Sequence, residues 1–195
     1  MPAQLVNLFE KGGKTMNTPD PGHIAPPPDK PTLFVLGIID MCLKNKGYAA
    51  RLKRSDNPAT EYQSWEILAS YGIDLEKKYL RLPYATVAAA IAKAKPEKSG
   101  QLTLGQGIAS CYEDGNAGNQ ARAKLRRLLA CHDTSEVCRI IRPLFSLIHS
   151  KSRQILDYAW ILKQLLRFYW DPQAVKAQWA QEFYRYNSSE QGDKK

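Results

Sequence analysis

An all-α fold is predicted, and three observations predict it. Apolar residues recur at helical spacing from about residue 33 to residue 186. Apolar and polar residues never alternate long enough to build a strand, and proline, glycine and asparagine punctuate the periodic segments. With 195 residues, 44% hydrophobic and 24% charged, the chain can bury a core of one ordinary domain or two small ones. The architecture expected is two small helical bundles joined by a short linker, behind a disordered proline-rich leader.

That leader covers residues 1–31, where Gly12-Gly13, Pro19, Pro21, Pro26-Pro27-Pro28 and Pro31 oppose helix formation. Leu33 to Leu43 is apolar enough for a buried helix, with Gly47 as its stop. A short helix follows from Tyr48 to about Arg54. Asn57-Pro58 then caps a helix over 59–71 that Gly72 closes. Pro83 is read as opening an alanine-rich helix from Tyr84 to Lys95, which Pro96 ends. The stretch 93–100 is the predicted boundary between an amino-terminal bundle (32–98) and a carboxyl-terminal bundle (99–186).

In the second bundle, Leu102 to Tyr112 is a helix and residues 114–119, rich in Gly, Asn and Asp, form a loop. A helix over 120–131 follows. Asp133 and Glu136 give a start signal for helix 134–149, whose apolar stripe is Val137, Ile140, Ile141, Leu144, Leu147 and Ile148. Pro143 should kink it near Arg139. A long helix is expected over 153–170, and Asp171-Pro172 starts the last one, ending near Tyr186. The polar residues 187–195 form a frayed tail.

The net charge of +9 favours polyanionic partners, nucleic acid before acidic lipid. Its distribution matters more. Residues 44–54 hold Lys44, Lys46, Arg51, Lys53 and Arg54 and no acid, while 122–176 hold eleven Lys and Arg against Asp133, Glu136, Asp157 and Asp171. On helix 134–149, Arg139, Arg142, Ser146 and His149 lie opposite the apolar stripe. On the helix before it, Leu125, Leu128 and Leu129 face the core, Arg122 and Arg126 flank one side, and Lys124 and Arg127 lie further round on the other. Arginine grips phosphate with two parallel hydrogen bonds, and lysine adds a point charge. A solvated helix face would carry the same pattern. Trp160 is the best candidate for stacking on a base, and it would serve a protein interface equally well.

Catalysis finds little support. No phosphate-loop, zinc-protease or nucleophile-elbow motif occurs, and the G-x-G at Gly105 and Gly107 lies in a helical stretch without a preceding strand. Cys131, His132, Cys138 and His149 lack zinc-knuckle spacing, so neither a metal nor another cofactor is expected. The amino terminus lacks a secretory apolar core, and no run approaches the eighteen or so apolar residues of a membrane span, so a cytoplasmic location is expected.

Five segments, in order, carry a family resemblance. They are GYAARLKR from Gly47, GQLTLGQGIAS from Gly100, KLRRLLA from Lys124, IIRPLF from Ile140 and ILDY from Ile155 before an aromatic-ended helix. Together they resemble the CasB family, the small subunits of the type I-E CRISPR Cascade surveillance complex. The resemblance implies a non-catalytic subunit that binds the displaced non-target DNA strand, keeps the R-loop open and bridges the backbone subunits. The partners it implies are the backbone and large subunits of Cascade, a second copy of the chain, the guide-RNA ribonucleoprotein and displaced single-stranded DNA, with no membrane. The binding positions it carries over are Lys53, Arg54, Lys124, Arg126, Arg127 and Arg142, to which helix geometry adds Arg139. At Lys53 and Lys124 the family favours arginine, so charge is kept and the planar fork is lost. The alternative is a stand-alone nucleic-acid-binding regulator, although no compact helix-turn-helix is evident.

Overall fold

Asp29 begins the first helix: its Oδ1 accepts from the Thr32 amide at 3.1 Å and the Thr32 hydroxyl at 2.6 Å. The computed structural model describes residues 27–186, so the expected disorder over 1–26 and fraying over 187–195 lie outside the described residues. Helix α1 runs Lys30–Lys44 and takes Pro31, assigned by its sequence to the leader, into its first turn, where the missing N–H has no helical partner to lose. Asn45 ends α1 and starts α2 (Lys46–Arg54), its side chain accepting from Gly47 N at 2.8 Å and Tyr48 N at 3.2 Å. The break therefore falls at an asparagine cap, and Gly47, expected as a stop, lies inside the second helix.

The helix expected over 59–71 divides into a 3-10 helix (Pro58–Ser64) and α3 (Trp65–Ser70). The Ser64 hydroxyl donates to the Glu61 carbonyl at 2.7 Å, and the Glu61 carboxylate is drawn inward to Arg81 Nε at 2.7 Å. Side-chain hydroxyls that bond locally to backbone compete with helical pairing. Gly72 closes the segment at φ 65°.

Helix α4 (Lys78–Ala94) starts six residues earlier than the proline signal predicts, and Pro83 lies inside it. Packing outweighs the missing hydrogen bond, since every residue from Leu82 to Ala92 is buried. A helix apolar all round belongs in the interior. The five alanines at 85, 88, 89, 90 and 92 let neighbours approach, and α4 packs against α1, α2 and α3 as well as against α7 (Thr134–Lys151) and α8 (Tyr158–Arg167).

Between α4 and α7 lie α5 (Leu104–Ser110), a 3-10 turn (Gly115–Ala117) and α6 (Asn119–Leu129), and α9 (Pro172–Tyr184) closes the chain. Residues 152–157 are not helical, which shortens the helix expected over 153–170. Their hydrogen bonds go sideways instead, from Gly100 N to Leu156 O at 3.1 Å and from Asp157 N to Leu102 O at 2.8 Å, forming a single parallel bridge. Gly100 permits this, because a Cβ there would collide with the Ile155 carbonyl. Helix α7 continues through Pro143, which is exposed, to Lys151. Among the described residues there are nine α-helices and no strand beyond that bridge, so the fold is all-α. Buried side chains from Phe34 to Phe183 form one hydrophobic cluster.

Candidate nucleic-acid interface

Helix α6 buries Ala121, Leu125 and Leu128, and this fixes where its cations point. Arg122, Lys124, Arg126 and Arg127 are all exposed, and the helix carries no acid. Arg122 is partly engaged, donating from Nε to the Asn116 carbonyl at 3.0 Å. Lys124, Arg126 and Arg127 make no ion pair among the described residues. Lys124 and Arg127 line a groove of about 210 Å3 against Ile140, Pro143, Leu144 and Leu147 of α7. Arg139 stands exposed on α7 as well, 3.9 Å from Glu136. Glu136 also accepts from His132 N at 2.8 Å, while Asp133 caps α7 through Glu136 N at 2.9 Å.

Arg142 belongs elsewhere. Its side chain is 10% exposed and lies on the other flank of α7, its Nε 3.6 Å from Asp56 Oδ1. Asp56 follows Arg54 by two residues and also holds Lys93 of α4. Arg54 is exposed and Lys53 half-buried at the end of α2. The predicted positions thus do not share one face: Lys124 and Arg127 line the groove between α6 and α7, and Arg142 lines the cleft between α7 and α4. Lys93 reaches this cleft through Asp56, 37 residues away, a neighbour that nothing near residue 93 signals in the sequence.

Trp160 is anchored at its indole nitrogen. It is half-buried, and its Nε1 donates to Glu182 Oε1 at 3.0 Å. Tyr169 lies beyond the end of α8, exposed and stacked on Tyr79 at 4.0 Å between ring centroids. The four cysteines are unbridged and buried, and burial pushes the Cys138 thiol up to about 12 and the Cys111 thiol to about 11, away from thiolate chemistry. Among the described residues no three His, Cys, Asp or Glu side chains gather to hold a metal ion, and no helix is long and apolar enough to cross a membrane.

The fold occurs in solved structures. A chain of a structure described as a "CRISPR RNA-guided surveillance complex" matches with a TM-score of 0.63 at 17% identity, over 80% of this chain and 90% of that one. The crystal structure of M. ruber CasB matches with a TM-score of 0.63 at 23% identity, over 80% of this chain and 93% of that one. No curated protein matches in sequence. The family model of CRISPR-associated protein Cse2 matches residues 48–184, a stretch that contains α2 through α9 apart from the first residues of α2. The chain belongs to this CasB/Cse2 family, as the ordered motifs led one to expect.

Proposed function

We propose that this protein is a non-catalytic small subunit of a type I-E CRISPR surveillance complex, in which it holds the displaced non-target DNA strand and bridges the backbone subunits beside a second copy of itself. The observation that carries the reading is α6, with four exposed cations and no acid beside Arg139 on α7. A strand is bound there through its phosphates, while guide pairing reads its sequence. The family membership and the likeness to a chain of a surveillance complex support the same assignment.

Reconstitution tests it. The chain is expected to co-purify with guide RNA and the larger subunits. Lys124, Arg126, Arg127 and Arg139 changed together to alanine should leave assembly intact and shorten the R-loop lifetime. For every phosphate no longer neutralised, the slope of log affinity against log salt should flatten by about 0.7. Normal assembly with an unchanged lifetime and salt slope would reduce the face to a solvated surface. A stable stand-alone complex with duplex DNA, and no association with Cascade subunits, would favour a regulator instead.

A further inference from the structure

Just past the end of α8 the chain leaves two large aromatic side chains in water. Trp170 is 64% exposed and Tyr169 is 58% exposed. Tyr169 lies flat against the half-buried Tyr79 of α4, with ring centroids 4.0 Å apart and planes 14° apart. That stack fixes the ring and covers one of its faces, so the exposure that remains lies on the other face and the edge. A ring held in place before a ligand arrives loses little freedom on binding it.

Cations flank the rings. Lys78 precedes Tyr79 and is exposed, and Lys176 of α9 lies 5.9 Å from the centroid of the Phe168 ring, next in sequence to Tyr169. Neither lysine makes an ion pair among the described residues. Of the acids close by in sequence, Asp74 is paired with Lys77 and Asp171 with Arg167, while Glu76 has no such pair. Lys176 also links the rings to the α6 face. The Cys131 thiol, just past the end of α6, is pushed up by burial and by Glu136 and drawn down by both Lys176 and Arg139. These two cations therefore flank the same end of α6.

The α6 cations alone cannot tell one strand from two, because a duplex offers the same phosphates at higher density. Hydrogen bonds to base edges cannot serve either, since guide pairing sets the sequence and the displaced strand has no fixed one. Ring faces can. Every base has a π face, so stacking tolerates any sequence, and within a duplex those faces are already stacked on their neighbours.

We propose that Tyr169 and Trp170 determine the preference of this protein for single-stranded DNA: they stack on unpaired bases of the displaced strand, with Lys78 and Lys176 beside its phosphates. The inference rests on the nucleic-acid reading of the chain and adds to it the element that refuses duplex.

Binding of the full-length chain to three labelled DNAs of equal length tests it: a thymidine dodecanucleotide, an abasic strand and a duplex. Wild type should bind the thymidine strand at least about fivefold more tightly than the abasic one, the lower end of what one stacked base contributes. Trp170→Ala and Tyr169→Ala should each weaken binding to the thymidine strand by at least about fivefold and leave the abasic strand and the duplex unaffected. The slope of log affinity against log salt should not change, since no phosphate contact is removed. Trp170→Phe keeps a ring and should restore part of the loss. If Tyr169→Ala fails to fold without its stack on Tyr79, Trp170→Ala, at the more exposed ring, carries the test.

Equal affinity of wild type for the thymidine and abasic strands overturns the proposal, as does a preference that survives both substitutions together. Unchanged DNA affinity with lost assembly onto the larger subunits overturns it too, and marks the rings as a protein contact. The two readings fail separately. Ring variants without effect, beside α6 variants that weaken all three DNAs, sink this proposal alone, whereas a wild type that binds none of the three sinks the nucleic-acid reading with it.

Discussion

The indole nitrogen of Trp160 donates to Glu182 Oε1 at 3.0 Å, and this bond joins α8 to α9. The same oxygen accepts from Gln164 Nε2 at 2.8 Å, Glu182 Oε2 accepts from Gly105 N at 3.2 Å, and Gln164 Oε1 accepts from Trp179 Nε1 at 2.8 Å. One carboxylate thus ties α5, α8 and α9 together. Glu182→Ala strands three donors at once and should cost about 2–4 kcal/mol. Glu182→Gln should cost less, about 1–2 kcal/mol, since one amide oxygen still serves Trp160 and Gln164 while the other position turns a donor toward Gly105. Urea denaturation followed by tryptophan fluorescence measures both. A loss below about 1 kcal/mol for the alanine variant would show that water replaces the carboxylate there.

Gly105 makes the same junction possible from the backbone side. A Cβ at this position would run into the Trp179 carbonyl and lie 2.6 Å from Phe183 N, both on α9. Neither atom can move without shifting its helix. Gly105→Ala should therefore destabilise by about 1–3 kcal/mol through overpacking, despite alanine's better helix propensity. In a thermal melt each 1 kcal/mol lowers the midpoint by roughly 2–4 °C in a chain of this size. An unchanged or raised midpoint would mean that α5 and α9 separate freely.

How far the sequence reaches depends on how local the cause is. The α6 face was legible because Leu125, Leu128 and Leu129 set its orientation by spacing alone and the cations then had to be outside, although Leu129 is only half-buried and Ala121 completes the buried stripe. The caps at Asp133 and Asp171 were legible for the same reason. Pro83 misled, because its helix-breaking tendency is local whereas the burial that overrides it comes from α1, α2, α7 and α8. The 152–157 segment misled because its hydrogen bonds go to residues 100–102, some fifty positions away. Arg142 was found as a basic residue on a helix, but its burial was not, since Asp56 and Lys93 reach it from distant parts of the chain. The network around Glu182 was equally out of reach, since it joins Gln164, which is buried, and Trp160, which is half-buried, across 18 and 22 positions of sequence.

Asp29 gives the fold a predictable acid dependence. Hydrogen bonding to Lys163 and then to Thr32 holds its carboxyl below the ordinary value of 3.8. A group whose folded value is lowered stabilises above its unfolded value and loses that contribution as pH falls through the folded one. Asp29→Ala removes the α1 cap and should cost about 0.5–2 kcal/mol at pH 7. The gap between wild type and variant should stay constant down to about pH 4 and close below it. Asp29→Asn keeps a capping oxygen and loses the Lys163 pair, so it should fall between them. A gap that persists undiminished well below pH 3 would show that the carboxylate charge plays no part.

Lys95 ends α4 in the left-handed region, at φ 48° and ψ 52°, with its amide donating to Ile91 O at 2.7 Å. An L-residue there costs roughly 1–2 kcal/mol, and glycine would relieve that strain while losing up to about 1 kcal/mol to the freedom of the unfolded chain. Lys95→Gly should therefore leave stability unchanged or raise it by up to about 1 kcal/mol, seen as a melting midpoint that does not fall. A midpoint that falls by several degrees would show instead that the lysine side chain supports the fold by more than its left-handed backbone costs.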